Sequence, residues 1–212
     1  MAWHAVEAAQ LQRGEDALVL GAGPIGLGVI QCLKAHGANK IIVAEVAEER
    51  QNFAKHFGAT HIFDPRHDDI VGKCKELSDG RGVQVSLDCA GVAASVKTAC
   101  LAVRAHGRVV NVAIWEKEVP FNPNNLVFGE KKYSAGMSNV RLLKILADKP
   151  IVLGYQGKDY QGVINALSEG SMQPEKMITS KIHIDRVVED GYIPLINVSA
   201  DACASQPPPR QC

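Results

Sequence analysis

An excess of charge of either sign is missing from this sequence, in which 23 basic residues balance 23 acidic ones and the formal net charge is zero. No run of Lys and Arg stands out either. Proteins that hold DNA or RNA by its phosphates concentrate positive charge on one surface. We therefore expect no nucleic-acid partner.

Long apolar stretches are missing too, and none approaches the roughly 20 residues that a membrane-spanning helix needs. The first residues also lack the charged and then apolar pattern of a secretory leader. We expect a protein without a membrane partner, located in the cytoplasm.

Clustered metal ligands and paired cysteines are absent from the sequence. The seven histidines show no ligand spacing, and the six cysteines form no C-x-x-C pair. Zinc sites and disulfide frameworks both depend on such spacing. We expect reduced thiols and no metal site within this chain. The cysteines are Cys32, Cys74, Cys89, Cys100, Cys203 and Cys212.

The sequence does contain a glycine-rich turn, G-x-G-x-x-G, directly after the apolar run 17–20. Around a pyrophosphate, Gly21 would permit the tight turn, Gly23 the close approach of phosphate oxygens, and Gly26 the packing of the next helix on the strand. Pro24 and Ile25 begin that helix, whose first amide groups would point at the phosphates. Taken alone, the motif is equally compatible with an ordinary surface loop.

The residues that follow favour the dinucleotide interpretation. Apolar residues continue at helical spacing to His36, and Gly37 is a helix stop. A second strand over 40–45 ends in Glu45, nineteen positions beyond Gly26. At this spacing a carboxylate meets the adenosine ribose of a bound dinucleotide.

Strands and helices alternate along most of the remaining chain. Strands with β-branched and apolar residues on both faces are typical of a parallel sheet covered by helices on two sides. The pattern predicts an α/β fold with a Rossmann-type doubly wound parallel sheet. The further predicted helices cover 47–57, 68–77, 93–105, 159–170 and 185–196 with Asp185 as cap, and the further strands 60–63, 83–88, 107–113, 126–135 and 178–184.

Four stretches together resemble the C-terminal half of the zinc-type, medium-chain alcohol and polyol dehydrogenases. They are Ala-Trp-His-Ala-Val6, Gly-Ala-Gly-Pro-Ile-Gly26, Asp-Cys-Ala-Gly91 and Ile-Asp-Arg-Val-Val-Glu-Asp-Gly191. Within that family, the chain most resembles the fungal butanediol dehydrogenases, and the sorbitol and threonine dehydrogenases are similar to it as well. The resemblance covers 2–135 and 152–195.

The resemblance implies a division of the chain into five parts. Residues 1–15 are a helix from the link to a catalytic domain, 16–135 a dinucleotide-binding domain, 136–151 an insertion foreign to the family, 152–196 the end of that domain with its returning segment, and 197–212 a disordered tail.

The resemblance also implies a cofactor site for NAD. Glu45 would hold the adenosine ribose hydroxyls with Arg50 nearby, although Arg50 is equally compatible with a solvated position on its helix. Cys89 fits a small packing residue better than a nucleophile, since no histidine partner is placed by motif. The loop beside the nicotinamide ribose would be Cys89, Ala90 and Gly91, and the backbone that bonds the carboxamide would be Val112, Ala113 and Ile114.

The resemblance places catalysis outside this sequence. The zinc ligands of the family belong to an N-terminal region, so it implies no catalytic residue here and a catalytically incomplete chain. In the intact family, zinc polarises a small alcohol or polyol and hydride passes to NAD, within a homodimer or homotetramer. Other readings stay open, namely a non-catalytic dinucleotide-binding module, a truncated gene product and a zinc-free quinone reductase relative. Gly26 disfavours an SAM-dependent methyltransferase.

Deletion of residues 136–151 should raise the melting temperature and the dimer fraction. In the resembling family this region is a strand at the sheet edge that pairs with its twin in a second subunit. An insertion within a strand removes backbone pairing, whereas one in a surface loop costs little, and Pro150 has no N–H to donate. Thermal unfolding and light scattering would measure both quantities. No change, or a decrease in both, would show that the insertion is part of the fold.

Overall fold

The computed structural model describes residues 1–115, 117–135, 157–194 and 196. The predicted insertion 136–151 and the predicted tail 197–212 lie outside the described residues. The chain divides into two compact units, Met1–Pro174 and Glu175–Cys212. Within the described residues, no helix has the length and apolar content that crossing a bilayer requires.

Six strands of the first unit form one parallel sheet, which confirms the predicted fold class. The strands are β1 (Ala17–Leu20), β2 (Ile41–Ala44), β3 (His61–Phe63), β4 (Val83–Asp88), β5 (Val103–Asn111) and β6 (Lys132–Ala135). Their order is β3-β2-β1-β4-β5-β6, and every neighbouring pair is parallel. The order therefore reverses direction beside β1, and ligands of such sheets bind at that crevice.

Helices connect the strands, as parallel pairing requires. The helices are α1 (Ala2–Ala8), α2 (Pro24–Ala35), α3 (Glu48–Phe57), α4 (Ile70–Glu76), α5 (Ala93–Ala102), α6 (Asn124–Val127) and α7 (Gly157–Ser168). Every residue of β1 and β2 is buried, so these central strands are covered on both faces. Gly58 ends α3 with a φ of 118°, a left-handed conformation that favours glycine.

α1 is fastened to α7 by one polar and one apolar contact. His4 Nδ1 lies 2.9 Å from Asp159 Oδ2, and Asp159 is buried. The indole of Trp3 packs so closely on Gly162 that a Cβ there would lie 2.5 Å from the ring. The beginning of the chain and α7 thus belong to the same packed unit.

Three of the predicted elements near β5 and β6 are wrong in their bounds. The helix predicted to reach 105 ends at Ala102. The strand predicted over 107–113 is β5, which covers Val103–Asn111 and begins with a bulge, since its pairing with β4 jumps from Val103 to Arg108. The strand predicted over 126–135 is the end of α6, a turn with Glu130 at a φ of 47°, and then the four residues of β6. Periodicity does not reveal bulges or positive φ angles.

In the second unit, residues 184–194 are helical, in agreement with most of the helix predicted over 185–196, but the strand predicted before it is not formed. No strand pairs with residues 178–184 in the described part of the chain, so the prediction of a strand there is wrong. A 3₁₀ helix over Ile184–Arg186 continues as a π-helix over Val187–Tyr192. The cap is His183, whose Nδ1 accepts from the amide of Asp185 at 3.4 Å, rather than Asp185 itself.

Candidate functional site

Three loops meet at the carboxyl end of the sheet, after β1, β4 and β5. A Cβ at Gly21 would lie 3.2 Å from Ala90, so the first two loops touch. A Cβ at Gly91, which has a φ of 66°, would lie 2.9 Å from the Cβ of Ala113, so the second touches the third. The sheet thereby brings together stretches of the predicted site that are up to about ninety positions apart in sequence.

The three glycines of the loop after β1 differ in backbone conformation and in the space around them, as the motif predicts. Gly21 has a φ of 87°. A Cβ at Gly26 would lie 2.0 Å from the carbonyl oxygen of Gly21, which shows how closely α2 approaches the turn. Gly23 has an ordinary φ of −67°, and a Cβ there would meet nothing within 4 Å. The space at Gly23 is therefore open, as a group approaching the backbone from outside requires.

The start of α2 presents unbonded amide groups beside that opening. The first intrahelical bond runs from the amide of Leu27 to the carbonyl of Gly23 at 2.9 Å, so the amides of Ile25 and Gly26 precede it. No side chain caps this end, and Pro24 stands in the first turn. Such an end attracts anions through its N–H groups and the helix dipole.

Glu45 follows β2 and is 4% exposed. Its Oε2 accepts the amide of Ala22 in the glycine-rich turn at 2.7 Å, and its Oε1 accepts the amides of Val46 and Ala47 at 2.9 Å. Glu45 therefore joins the turn after β1 to the turn after β2, a contact that its sequence position did not predict. A carboxylate has about four acceptor positions, so these three bonds are compatible with a further hydrogen bond from a ribose.

Two arginines lie beside Glu45. Arg50 Nη1 is 4.0 Å from Glu45 Oε1, and the Arg50 side chain is 55% exposed. Arg66 follows β3 and was missed, because only the pairing of β2 with β3 brings it here. Its Nη2 donates to the carbonyl of Val46 at 2.8 Å, and its hydrogen bonds to Asp64 lower the pKa of that carboxyl to about 2.

Asp88, at the end of β4, was also missed as a site residue. It is 1% exposed, and its Oδ1 accepts the amides of Ala90 and Gly91 at 3.0 and 3.2 Å. Its Oδ2 accepts the hydroxyl of Ser95 at 2.8 Å. Burial raises the pKa of Asp88, while the Ser95 hydroxyl and the two amides act in the opposite direction.

Cys89 has the properties of a packing residue. Burial raises the pKa of its thiol to about 12, with a further contribution from the Asp88 charge. A reactive cysteine needs a lowered pKa. A Cβ at Gly26 would lie 3.7 Å from that of Cys89, so this side chain sits beside the glycine-rich turn.

The loop after β5 is held by hydrogen bonds to the last residue of β4. The amides of Val112 and Ala113 donate to the carbonyl of Asp88 at 2.9 and 3.0 Å. Asn111 Nδ2 donates to the carbonyl of Ala113 at 3.0 Å, and Ile114 is 72% exposed. In the stretch predicted to bond the carboxamide, Val112 and Ala113 are thus held by hydrogen bonds, and Ile114 is exposed. A cavity of about 390 Å³ lies over this end, lined by Ala90, Gly91, Val92, Ala93, Ile114, Trp115, Lys117 and Val119.

The described residues do not fit a zinc ion. No group of three or more His, Cys, Asp or Glu lies close enough within them to hold a metal. Burial also raises the pKa of Cys32 and of Cys74 to about 12, whereas zinc binds thiolates. The absence of a metal site from the whole chain stays a prediction.

Comparison with known proteins identifies the family. A sequence profile described as zinc-binding dehydrogenase matches residues 24–140, more than half of the chain. The chain belongs to the zinc-binding dehydrogenase family. This confirms the resemblance found in the sequence.

The relatives include (R,R)-butanediol dehydrogenases from several organisms. The chain is 33% identical over 196 residues to that of Bacillus subtilis, covering 92% of this chain and 51% of the relative. It is 33% identical over 202 residues to that of Saccharomyces cerevisiae, covering 92% and 48%. The crystal structure of 2R,3R-butanediol dehydrogenase from Bacillus subtilis matches with a TM-score of 0.79 and 34% identity, covering 92% and 51%. The chain thus spans about half the length of these relatives.

Replacement of Gly26 by alanine should mainly lower the stability of the chain, whereas replacement of Gly23 should mainly weaken NADH binding. Gly26→Ala should lower the free energy of unfolding by about 3 kcal/mol, because its Cβ would overlap the Gly21 carbonyl. Gly23→Ala should change that free energy by less than about 1 kcal/mol but weaken NADH binding about tenfold or more, since the methyl group occupies the opening. Urea unfolding and fluorescence titration would measure both. Full NADH affinity in Gly23→Ala would contradict a phosphate position at this turn.

Proposed function

We propose that this chain is the NAD(H)-binding part of a zinc-type alcohol or polyol dehydrogenase. The observation that carries the proposal is the open backbone at Gly23, set between the uncapped start of α2 and the carboxylate of Glu45. A pyrophosphate needs the first two features and an adenosine ribose the third. All three lie where the strand order reverses.

Each end of the dinucleotide would have its own residues. Gly21, Gly23, Ile25 and Gly26 would hold the pyrophosphate through backbone groups, and Glu45 with Arg50 the adenosine ribose. The loops 89–91 and 112–114 would orient the nicotinamide beside the cavity at Ile114. Bound NAD would supply the acceptor for a hydride from the substrate carbon.

The substrate class rests on the relatives rather than on this chain. Relatives that match at least 92% of this chain include (R,R)-butanediol dehydrogenases and a probable diacetyl reductase that forms (R)-acetoin, so a small secondary alcohol such as 2,3-butanediol is proposed for the whole protein. The zinc ligands would come from a part of the protein outside the described residues. We also propose the five-part division given above, a cytoplasmic location, and self-association through the edge strand β6, weakened by residues 136–151.

A non-catalytic dinucleotide-binding module is the second candidate, because the described residues hold no metal ligand cluster.

One experiment separates the dehydrogenase part from the non-catalytic module. The purified chain is titrated with NADH and then assayed with 2,3-butanediol and sorbitol in the presence of zinc and NAD. NADH binding without turnover is expected for the chain alone, and turnover after addition of a catalytic half from a relative would identify a dehydrogenase part. Failure to bind NADH would contradict both candidates, and turnover by the chain alone would show that it is catalytically complete.

Glu45→Ser should narrow a preference of the unmutated chain for NADH over NADPH. A carboxylate accepts hydrogen bonds from ribose hydroxyls but repels a 2′-phosphate. Loss of a charge-assisted hydrogen bond costs about 1.5 to 3 kcal/mol, so NADH affinity should fall about tenfold to a hundredfold. Fluorescence titration with both cofactors measures this.

Glu48→Ser is the matched control, because Glu48 is an exposed residue in the first turn of α3 and its loss removes the same charge. It should leave the ratio of the two affinities unchanged. Equal affinities for NADH and NADPH in the unmutated chain would refute the role of Glu45.

A further inference from the structure

Two buried carboxylates stand at the carboxyl end of the sheet, one beside each end of the proposed dinucleotide. Glu45 bonds to the turn after β1 and to that after β2. Asp88 bonds to the turn after β4 and, through Ser95, to the first turn of α5. The two side chains thus hold different loops.

Asp88 is a charged residue at a buried strand end, whereas its two partners in the sheet register are uncharged. It pairs with Leu20 of β1 on one side and with Asn111 of β5 on the other. An apolar side chain at a buried strand end avoids the cost of desolvating a charge, so a buried carboxylate persists only when donors surround it. Here the donors are two loop amides and one hydroxyl.

The backbone of Asp88 has a second set of contacts. Its carbonyl accepts the amides of Val112 and Ala113, which begin the loop after β5. Gly91, which the carboxylate holds, is the residue whose Cβ would lie 2.9 Å from the Cβ of Ala113. One residue therefore fixes the two loops that the proposed function assigns to the nicotinamide end.

We infer that Asp88 is a positioning residue that holds the loops 89–91 and 112–114 in the geometry that receives the nicotinamide half of the dinucleotide. This inference rests on the proposed function. Asp88 would act through these loops rather than as a ligand of the cofactor, because its side chain is 1% exposed and its carboxylate accepts the loop amides of Ala90 and Gly91 and the hydroxyl of Ser95. Its loss would leave the turn after β1 in place, since Glu45 holds that turn.

The test compares NADH with ADP, which lacks the nicotinamide and its ribose. Asp88→Ala should weaken NADH binding about tenfold, on the order of one charge-assisted hydrogen bond, and change ADP binding less than about twofold. The fluorescence enhancement of bound NADH should fall as well, because it reports the surroundings of the nicotinamide. Asp88→Asn should restore most of the NADH affinity, because an amide oxygen still accepts the loop amides.

Asp16→Ala is the matched control. Asp16 is also buried, and its Oδ1 accepts Asn39 Nδ2 at 2.8 Å and the amide of Lys40 at 3.1 Å, but it precedes β1 at the opposite end of the sheet. Its replacement should lower the melting temperature and leave the affinities for NADH and ADP unchanged.

If Asp88→Ala does not fold, Ser95→Ala takes its place. Its affinity for NADH should fall about threefold, less than the loss of one full hydrogen bond would cause, and its affinity for ADP should not change.

The outcomes separate the inference from the proposed function. Loss of NADH affinity with ADP affinity retained supports the positioning role. An equal loss for both ligands, or no loss for either, would overturn it and leave the proposed function standing. Failure of the unmutated chain to bind either ligand would overturn both.

Discussion

The close approach of Gly26 to the carbonyl oxygen of Gly21 is the contact on which the rest of this site depends. A Cβ at position 26 would lie 2.0 Å from that oxygen, so only glycine lets α2 start so near the end of β1. This contact sets the position of the first amides of α2 and the opening at Gly23. It also brings Cys89 of the neighbouring loop within packing distance. A side chain at this one position would displace the helix and, with it, the proposed phosphate site.

Buried carboxylates then connect the loops that the sheet brings together. Burial of a charge is costly unless donors satisfy it, and Glu45 and Asp88 are each surrounded by three donors. Hydrogen bonds to buried carboxylates thus help to hold these loops in place. Such fixed loops lose little conformational freedom when a ligand binds, which favours affinity. The described part of the chain is thus organised for binding, and its thiols, with raised pKa values, are not organised for nucleophilic chemistry.

The limits of sequence-based prediction follow from which interactions are local. Strands and helices up to β5 were predicted closely, because burial periodicity and glycine stops act within a few residues of each element. The bulge at the start of β5 and the turn before β6 were not predicted, and the strand predicted over 178–184 is absent. Residues 178–184 resembled a strand in sequence, but a strand also needs a neighbour, and no strand pairs with these residues in the described part of the chain.

The sequence by itself determined the fold class, the family resemblance and the glycine-rich turn, because each depends on short patterns with fixed spacing. Tertiary structure alone decided what the polar residues contact. Glu45 was expected to meet a ribose, but only the pairing of β1 with β2 shows that it also holds the amide of Ala22. Arg66 had no motif around it, and Asp88 opens the Asp-Cys-Ala-Gly91 stretch without a role of its own; strand order brings both residues to the site. Hydrogen bonds between residues far apart in sequence depend on register and strand order, which local patterns do not encode.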